Sequence, residues 1–445
     1  EKLPDDFQTA GADVNYSGAW GHERQGAAWL NALAFVFLCA VSFLTAPLKA
    51  EAADQAFDPW KLQWVDPWAT SSQAEVVESR VSRSTIPTLG DAGFWPLLRA
   101  MSMYEQIQEW GGWEPIPQGE KIEKGMRDAR LALIRKRLVA TGDLAASGGD
   151  PNIYDESVFD AVRRFQSRHG LTPDGIIGAR TLAAMNVPVE TRIKQLAVNL
   201  KRLNEQSASL GRRYVFVNIA GQEVEAVSDG RVELRRRVIV GKTDRQTPEY
   251  ESKITFIAFN PYWNVPQSIA KKDIIPKARR DPGYLKRMGI RVLSDYGPNP
   301  RELNPYNVDW SSASAERLRL RQDPSRRNSL GTVKIHFPNP HAVYLHDTPS
   351  KSLFGRNARA YSSGCVRVDK VHDLVAWLLK ETDGWDRRKV DSTVASGNRM
   401  DVALGEPVPV YLLYLTAWVS ADGVVNFRDD IYSLDKRVRT TSLTQ

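Results

Sequence analysis

Cys365 is the residue whose chemistry is most informative, and it follows a turn of small residues in the sequence SSGCVR at 362–367. The other cysteine, Cys39, lies in an N-terminal apolar stretch. Without that stretch, Cys365 has no partner for an internal disulfide. His346 lies upstream, with 18 residues between the two. Because an imidazole can serve a thiol as its base, we predict a cysteine nucleophile rather than a buried structural cysteine.

The expected chemistry at this pair is nucleophilic attack by a thiolate. A cysteine thiol is mostly protonated near neutral pH, and a neighbouring imidazole can accept its proton. His346 is the predicted acceptor, as general base and acid, in a thiolate–imidazolium pair. Gly364 lets the backbone approach a bound carbonyl, so the amides of Gly364 and Cys365 are the predicted oxyanion hole.

Five further residues are predicted to contact the substrate. Ser363 and Arg367 flank the nucleophile in sequence, and we expect them to brace its turn. Tyr344, Trp263 and Asn264 are predicted pocket walls, although each would also suit a protein core.

A metal site is not expected. His336, His341 and His346 recur every five residues, and on strands this spacing places successive side chains on opposite faces. The surrounding sequence has no carboxylate pattern that would complete a site. We therefore expect no metal and no other cofactor.

Length and charge restrict the class of protein. A chain of 445 residues predicts about three domains, and 42% hydrophobic with 25% charged residues is typical of a globular protein. The net charge is +7, or +10 without residues 1–52. This excess suits an anionic polymer or a membrane surface. Acidic residues are interspersed throughout and no nucleic-acid-binding motif is present, so nucleic acid is not the expected partner.

The N-terminal segment, residues 1–52, predicts export. Residues 27–48 are almost wholly apolar, and the following AEA at 50–52 fits a small-x-small cleavage site. The stretch is also long enough to cross a bilayer as an uncleaved anchor. Both alternatives place the rest of the protein outside the cytoplasm, and residues 53–90 are expected to be a flexible lead-in.

Residues 125–187 predict a small three-helix bundle. Apolar side chains recur at helical spacing in three stretches, 126–140, 155–166 and 178–185. The sequence VxxFQxxxGLxxDGxxGxxT at 162–181 resembles the peptidoglycan-binding type 1 module. Most of these residues explain folding rather than ligand contact, so glycan binding and a spacer role both stay open.

The predicted fold class is multidomain α+β. A linker helix at 188–208 precedes a β-rich catalytic domain at 209–385, with one helix after Asp369. Residues 267–330 are too long for a simple loop, and we expect a capping insertion, called the lid here. The lid holds 14 basic and 7 acidic residues, which suits carboxylate-rich stem peptides or an ordinary solvated face. The flanking segments, 91–124 and 386–445, are the predicted scaffold, with a hairpin from 408 to 427.

The β-rich segment resembles the YkuD family of L,D-transpeptidase catalytic domains. That family has a His, then 18–21 residues, then Ser/Thr-His-Gly-Cys and a hydrophobic residue. His346 and the sequence SSGCV at 362–366 match this pattern, except that Ser363 replaces the usual His. The branch with large accessory segments commonly has Ser there. The resemblance covers roughly residues 95–437 and indicates this large periplasmic branch.

The resemblance implies a two-step reaction without a metal. Cys365 would attack the carbonyl of meso-diaminopimelate in a peptidoglycan stem peptide, release D-alanine, and pass the acyl group to an amine in a 3→3 cross-link. Carbapenem β-lactams would be inhibitors. The acceptor could instead be an outer-membrane protein, or water in a carboxypeptidase. A non-enzymatic wall-binding scaffold is the remaining alternative.

Overall fold

The computed structural model describes residues 84–146, 149–206, 210–420 and 422–438, which belong to one compact unit. The predicted signal or anchor at 1–52 and nearly all of the lead-in lie outside these residues. No helix within the described ranges has the length and hydropathy of a membrane span.

The described helices range from one turn to five turns. They are α1 (Asp91–Glu109), α2 (Leu131–Ala140), α3 (Glu156–Arg168), α4 (Ala179–Met185), α5 (Val189–Gln206), α6 (Gln267–Ile269), α7 (Ile275–Arg280), α8 (Gly283–Arg287), α9 (Val371–Leu379) and α10 (Arg387–Ala395). A π-helical turn, Ala270–Ile274, joins α6 to α7.

The described strands are mostly short. They are β1 (Arg213–Asn218), β2 (Glu223–Ser228), β3 (Arg231–Gly241), β4 (Tyr250–Phe259), β5 (Trp263–Asn264), β6 (Ile290–Leu293), β7 (Glu302–Leu303), β8 (Arg319–Gln322), β9 (Val333–His336), β10 (Leu345–His346), β11 (Ala360–Ser362), β12 (Val366–Val368), β13 (Met400–Leu413), β14 (Ala417–Val419) and β15 (Val425–Phe427).

A large mixed sheet contains His346 in β10, and Cys365 directly precedes its strand β12. Its strand order is β11-β3-β12-β10-β9-β4-β13-β1-β2, and β2 also pairs with β3, so the sheet curls back on itself. Its inner face packs against α9 in a core of buried Val, Leu and Ile side chains. The opposite surface of β1 and β2 packs against α1 and α5 in a second core.

The C-terminal scaffold prediction is wrong for residues 400–413. This segment is β13, which pairs in parallel with β1 and antiparallel with β4 in the middle of the large sheet. From Val408 onward its side chains are largely buried, as in a strand covered on both faces. The predicted hairpin is therefore limited to β14 and β15.

The lid is a small folded subdomain with its own core. A four-stranded sheet, β5-β8-β6-β7, packs with α6, α7 and α8 around buried residues such as Trp310 and Leu320. Tyr344 of the large sheet packs against both this core and the inner core. The lid therefore contacts the sheet beside Cys365 rather than projecting as a loop.

The three-helix bundle consists of α2, α3 and α4 around a core of its own. Its first helix begins at Leu131 rather than at 126. The Gln166 side chain organises the turn before α4, because its Nε2 donates to Asp174 and its Oε1 accepts from the Gly175 amide at 2.8 Å. Two arginines join the bundle to β15: Arg168 donates to the Val425 carbonyl, and Arg428 donates to the Arg168 carbonyl.

The ion pair between Arg168 and Asp143 offers a stability test. Its side chains are 6% and 4% exposed, and Nη2 lies 2.5 Å from Oδ2. Because removing one member leaves a buried charge unpaired, we expect Asp143→Asn to destabilise the bundle by about 3 kcal/mol. Faster hydrogen exchange in α3 would show this. Glu302→Gln, which breaks an exposed pair with Arg291, should cost less than about 1 kcal/mol.

Candidate active site

Strand β10 lies between β12 and β9 and arranges six side chains on one face of the large sheet. Its parallel pairing with β12 aligns Leu345 with Val366 and His346 with Arg367, and its antiparallel pairing with β9 aligns His346 with Lys334. Side chains alternate along a strand. One row across the three strands is therefore Lys334, His346 and Arg367, and the next row is His336, Tyr344 and Cys365.

The opposite face of these strands is fully buried. Ile335, Leu345 and Val366 are 0% exposed in the inner core. Because a shift of one residue would turn these apolar side chains outward, the core fixes the register that brings the six functional side chains together.

Cys365 is partly exposed, and Tyr344 is among its polar neighbours. The Tyr344 hydroxyl hydrogen-bonds to the Cys365 sulfur, and Tyr344 also hydrogen-bonds to the Trp263 side chain. The thiol lies 3.9 Å from the Ala342 carbonyl. Tyr344 and Trp263 thus contribute to the site through polar contacts, in addition to the packing expected of pocket walls.

His346 is 4% exposed, and its Nδ1 has no hydrogen-bond partner in the part of the chain that the structure describes. Burial, with a further contribution from the positive charge of Arg367, lowers the pKa of His346 to about 3. Burial raises the pKa of the Cys365 thiol, although the Tyr344 hydrogen bonds and the charges of Lys334 and Arg367 oppose this. Burial thus favours the neutral form of each group in the free protein, whereas the sequence analysis predicts a thiolate–imidazolium pair.

The turn before the nucleophile is held by its own hydroxyl. Ser362 Oγ donates to the Cys365 carbonyl at 2.5 Å and accepts from the Gly364 amide at 3.1 Å. Gly364 has a φ of +114°, which favours glycine. Since its amide is already bonded to Ser362, Gly364 is a poor oxyanion donor in this conformation, contrary to expectation. The amide of Cys365 stays the candidate.

Ser363 connects this turn to the lid. Its exposed side-chain oxygen accepts a hydrogen bond from Arg245 Nη1 at 3.0 Å. The same guanidinium forms an ion pair with Asp273 in the π-helical turn of the lid, with 2.9 Å between Nη2 and Oδ1. Ser363 thus braces the turn as expected, through a partner that the sequence did not indicate.

The remaining predicted substrate residues lie in different surroundings. Arg367 is half-buried in the row with His346, and its Nε has no hydrogen-bond partner. Asn264 is exposed and accepts two hydrogen bonds from Arg319 of the lid, at 3.0 and 2.9 Å. Asn264 therefore stabilises the lid rather than contacting the turn around Cys365.

Two segments of the chain match models of known protein families. Residues 212–410 match the family model described as "L,D-transpeptidase catalytic domain" (YkuD), and residues 127–185 match one described as "Putative peptidoglycan binding domain". The first range contains β1 to β12, the lid and most of β13. Residues 212–410 are therefore similar to an L,D-transpeptidase catalytic domain.

A curated relative supports the match. A protein of Haemophilus influenzae described as "Putative L,D-transpeptidase" is 36% identical over 230 residues, which are 52% of this chain and 46% of the relative. The chain therefore spans about half the length of this relative.

Solved L,D-transpeptidase structures match only weakly. That of Xylanimonas cellulosilytica is 17% identical, covers 67% of this chain and 100% of its own, and has a TM-score of 0.22. That of Stackebrandtia nassauensis is 14% identical, covers 67% and 97%, and has a TM-score of 0.25. Both TM-scores are low.

Three residues of the catalytic domain were missed by the sequence analysis. Lys334 lies beside His346 across the sheet, and Arg245 joins the nucleophile turn to the lid. Thr247 is buried and donates to the Gly364 carbonyl at 2.8 Å. Lys334 precedes Ile335 in an alternating strand, so only the pairing of strands could reveal its position. In the described part of the chain, no three His, Cys, Asp or Glu side chains cluster as metal ligands.

The first prediction for this site concerns the thiol. With Cys39 replaced by alanine, Cys365 is the only thiol in the chain. We expect its alkylation by iodoacetamide to have a pH midpoint above that of a free cysteine, about 8.5, because burial raises its pKa. Tyr344→Phe should move the midpoint higher, since a hydrogen bond to the thiolate is lost. Tyr296→Phe, at an exposed lid residue, is the control. A midpoint below that of free cysteine would contradict the raised pKa of the Cys365 thiol.

The second prediction concerns the lid contact. Arg245→Met removes the link between Asp273 and Ser363, worth about 1 kcal/mol for a partly buried pair. We expect hydrogen exchange in the Ala270–Ile274 turn to become about fivefold faster. The matched control is Arg291→Met, which removes ion pairs to Glu302 and Asp323 within the lid. Equal acceleration of this turn in both variants would show that Arg245 has no special part in holding it.

Proposed function

We propose that the protein is a periplasmic L,D-transpeptidase that forms 3→3 cross-links between meso-diaminopimelate residues through a thioester on Cys365. The observation that carries the proposal is the pairing of β10 with β12, which places Cys365, Tyr344 and His346 on one face of a domain matched by the family model. The lid contacts the same face through Tyr344, so a peptide bound there is shielded from water.

The first step begins from neutral groups. Cys365 Sγ attacks the carbonyl carbon of the third stem residue while its proton moves to His346, whose Nδ1 has no other partner. The Tyr344 hydroxyl hydrogen-bonds to the sulfur and stabilises the charge that develops as the proton leaves. The carbon–nitrogen bond then breaks, His346 returns the proton to the departing nitrogen, and D-alanine is released with a thioester left on Cys365.

The second step regenerates the thiol. A side-chain amine of a second stem peptide attacks the thioester carbonyl and gives a proton to His346. The carbon–sulfur bond breaks, and the sulfur takes this proton back. Because burial holds the pKa of His346 near 3, the imidazole is a weak base in the free protein. It becomes a stronger base during the reaction, because the developing anion stabilises the positive charge of the protonated ring.

The partners follow from the two matched segments. The bundle matched by the peptidoglycan-binding model contacts β15 and extends the enzyme towards its polymer. Carbapenems acylate the same thiol in this proposal. The periplasm is the compartment in which stem peptides occur, and the predicted export segment at 1–52 fits that location.

The decisive test is mass spectrometry of products from residues 53–445 incubated with disaccharide-tetrapeptide. We expect a tetrapeptide–tripeptide dimer and released D-alanine, and we expect Cys365→Ala to abolish both, a loss of more than about 1,000-fold. His346→Gln should reduce the rate by about 100- to 10,000-fold, as for loss of a general base.

Other products identify other acceptors. Tripeptide alone would indicate water or a missing outer-membrane protein acceptor. A protein with neither a Cys365-dependent product nor a carbapenem adduct would be a wall-binding scaffold, and the enzyme proposal would be wrong.

A further inference from the structure

Two cationic side chains flank the candidate catalytic residues and form no ion pair with a carboxylate among the described residues. Lys334 and Arg367 are the outer members of the row that has His346 at its centre. The negative charge of a Cys365 thiolate would act on Arg367. The buried Nε of Arg367 has no hydrogen-bond partner among the described residues. By contrast, Arg245 and Arg291 each form an ion pair with a carboxylate.

Lys334 reaches towards the nucleophile rather than towards solvent. Its Nζ lies 4.5 Å from the centre of the Tyr344 ring, and the Tyr344 hydroxyl contacts Cys365. Burial lowers the pKa of Lys334, while the charge of Cys365 opposes this shift. Lysine is strongly hydrated, so its placement in a half-buried pocket has a free-energy cost that a bound anion would offset.

The acidic group that acts on Lys334 within the described residues is Asp401, and Asp401 is already paired. Asp401 aligns with Ala258 on β4, one strand beyond Lys334, and its Oδ2 lies 2.5 Å from Arg399. Arg399 itself acts on Lys334 with the opposite sign. The ion pair of Asp401 with Arg399 therefore leaves the positive charge of Lys334 largely uncompensated. As a result, the pocket beside Cys365 is electropositive.

We propose that Lys334, assisted by the charge of Arg367, binds a carboxylate of the acyl donor that lies one residue or one side chain from the reacting carbonyl. Lys334 is then a specificity residue. This inference rests on the proposed function, because it concerns the donor for Cys365. Two carboxylates of a tetrapeptide stem have the required chemistry: that of the terminal residue that leaves, and that on the side-chain centre of diaminopimelate.

The test measures binding separately from turnover. Full chain with Cys365→Ala is titrated calorimetrically with disaccharide-tetrapeptide and with two analogues, one amidated at the terminal carboxylate and the other at the diaminopimelate side-chain carboxylate. We expect one amidation to weaken binding by about 10- to 100-fold, as for loss of a charged hydrogen bond. That amidation identifies which carboxylate is bound.

The variants assign the effect to Lys334. Lys334→Met should weaken binding of the parent tetrapeptide by a similar factor and remove the sensitivity to amidation, and Lys334→Arg should retain it. The matched control is Lys253→Met, which removes an exposed lysine from β4, where residue 253 pairs with Pro409. Its binding and amidation sensitivity should match those of the parent protein. Unchanged amidation sensitivity in Lys334→Met, or equal binding of all three ligands to the parent protein, would overturn the inference.

Turnover by the Cys365 protein distinguishes this inference from the proposed function. Cross-linking that is insensitive to both amidation and Lys334→Met would overturn the carboxylate site and leave the enzyme intact. Lys334-dependent discrimination in binding, with no product from any donor, would support the site and overturn the proposed function.

Discussion

The position of the active site depends on one constraint, the hydrogen-bonded register of β10 between β9 and β12. This two-residue strand has 0%-exposed Leu345 on one side and buried His346 on the other. Its neighbours have apolar side chains on the same inner face, and burial of that face is the dominant favourable term in folding. The core therefore fixes the strand positions of the candidate catalytic side chains, and the hydrogen bonds of Ser362 hold the turn around Cys365.

The lid and the large sheet share the site through a small number of side chains. Tyr344 packs in both cores, and Trp263 belongs to the lid's core while it contacts Tyr344. On the other side, Arg245 joins Asp273 to Ser363. Cys365 thus lies between the packed rings of Tyr344 and Trp263 on one side and the ionic contact of Arg245 with Asp273 on the other. At Ser363 the contact is a hydroxyl that accepts from the Arg245 guanidinium.

The sequence predicted what is encoded locally, and it failed where distant segments meet. Helical periodicity predicted α3, and the linker helix predicted at 188–208 corresponds to α5. The nucleophile turn was readable because its small residues and Cys365 are contiguous. The roles of Lys334 and Arg245 depend on pairing across strands and on the lid, which no short window contains. The pKa directions of His346 and Cys365 follow from burial, which spacing alone cannot give.

The place of β13 has a consequence for the order in which the protein can fold. Strand Met400–Leu413 fills the position between β1 and β4, although it is made more than 140 residues after them. Until it emerges from the ribosome, β1 and β4 each present an unpaired edge, and such edges pair readily with other chains. The large sheet is therefore completed only after Leu413 has been made. Until then, the edges of β1 and β4 that later pair with β13 would be binding sites for a chaperone.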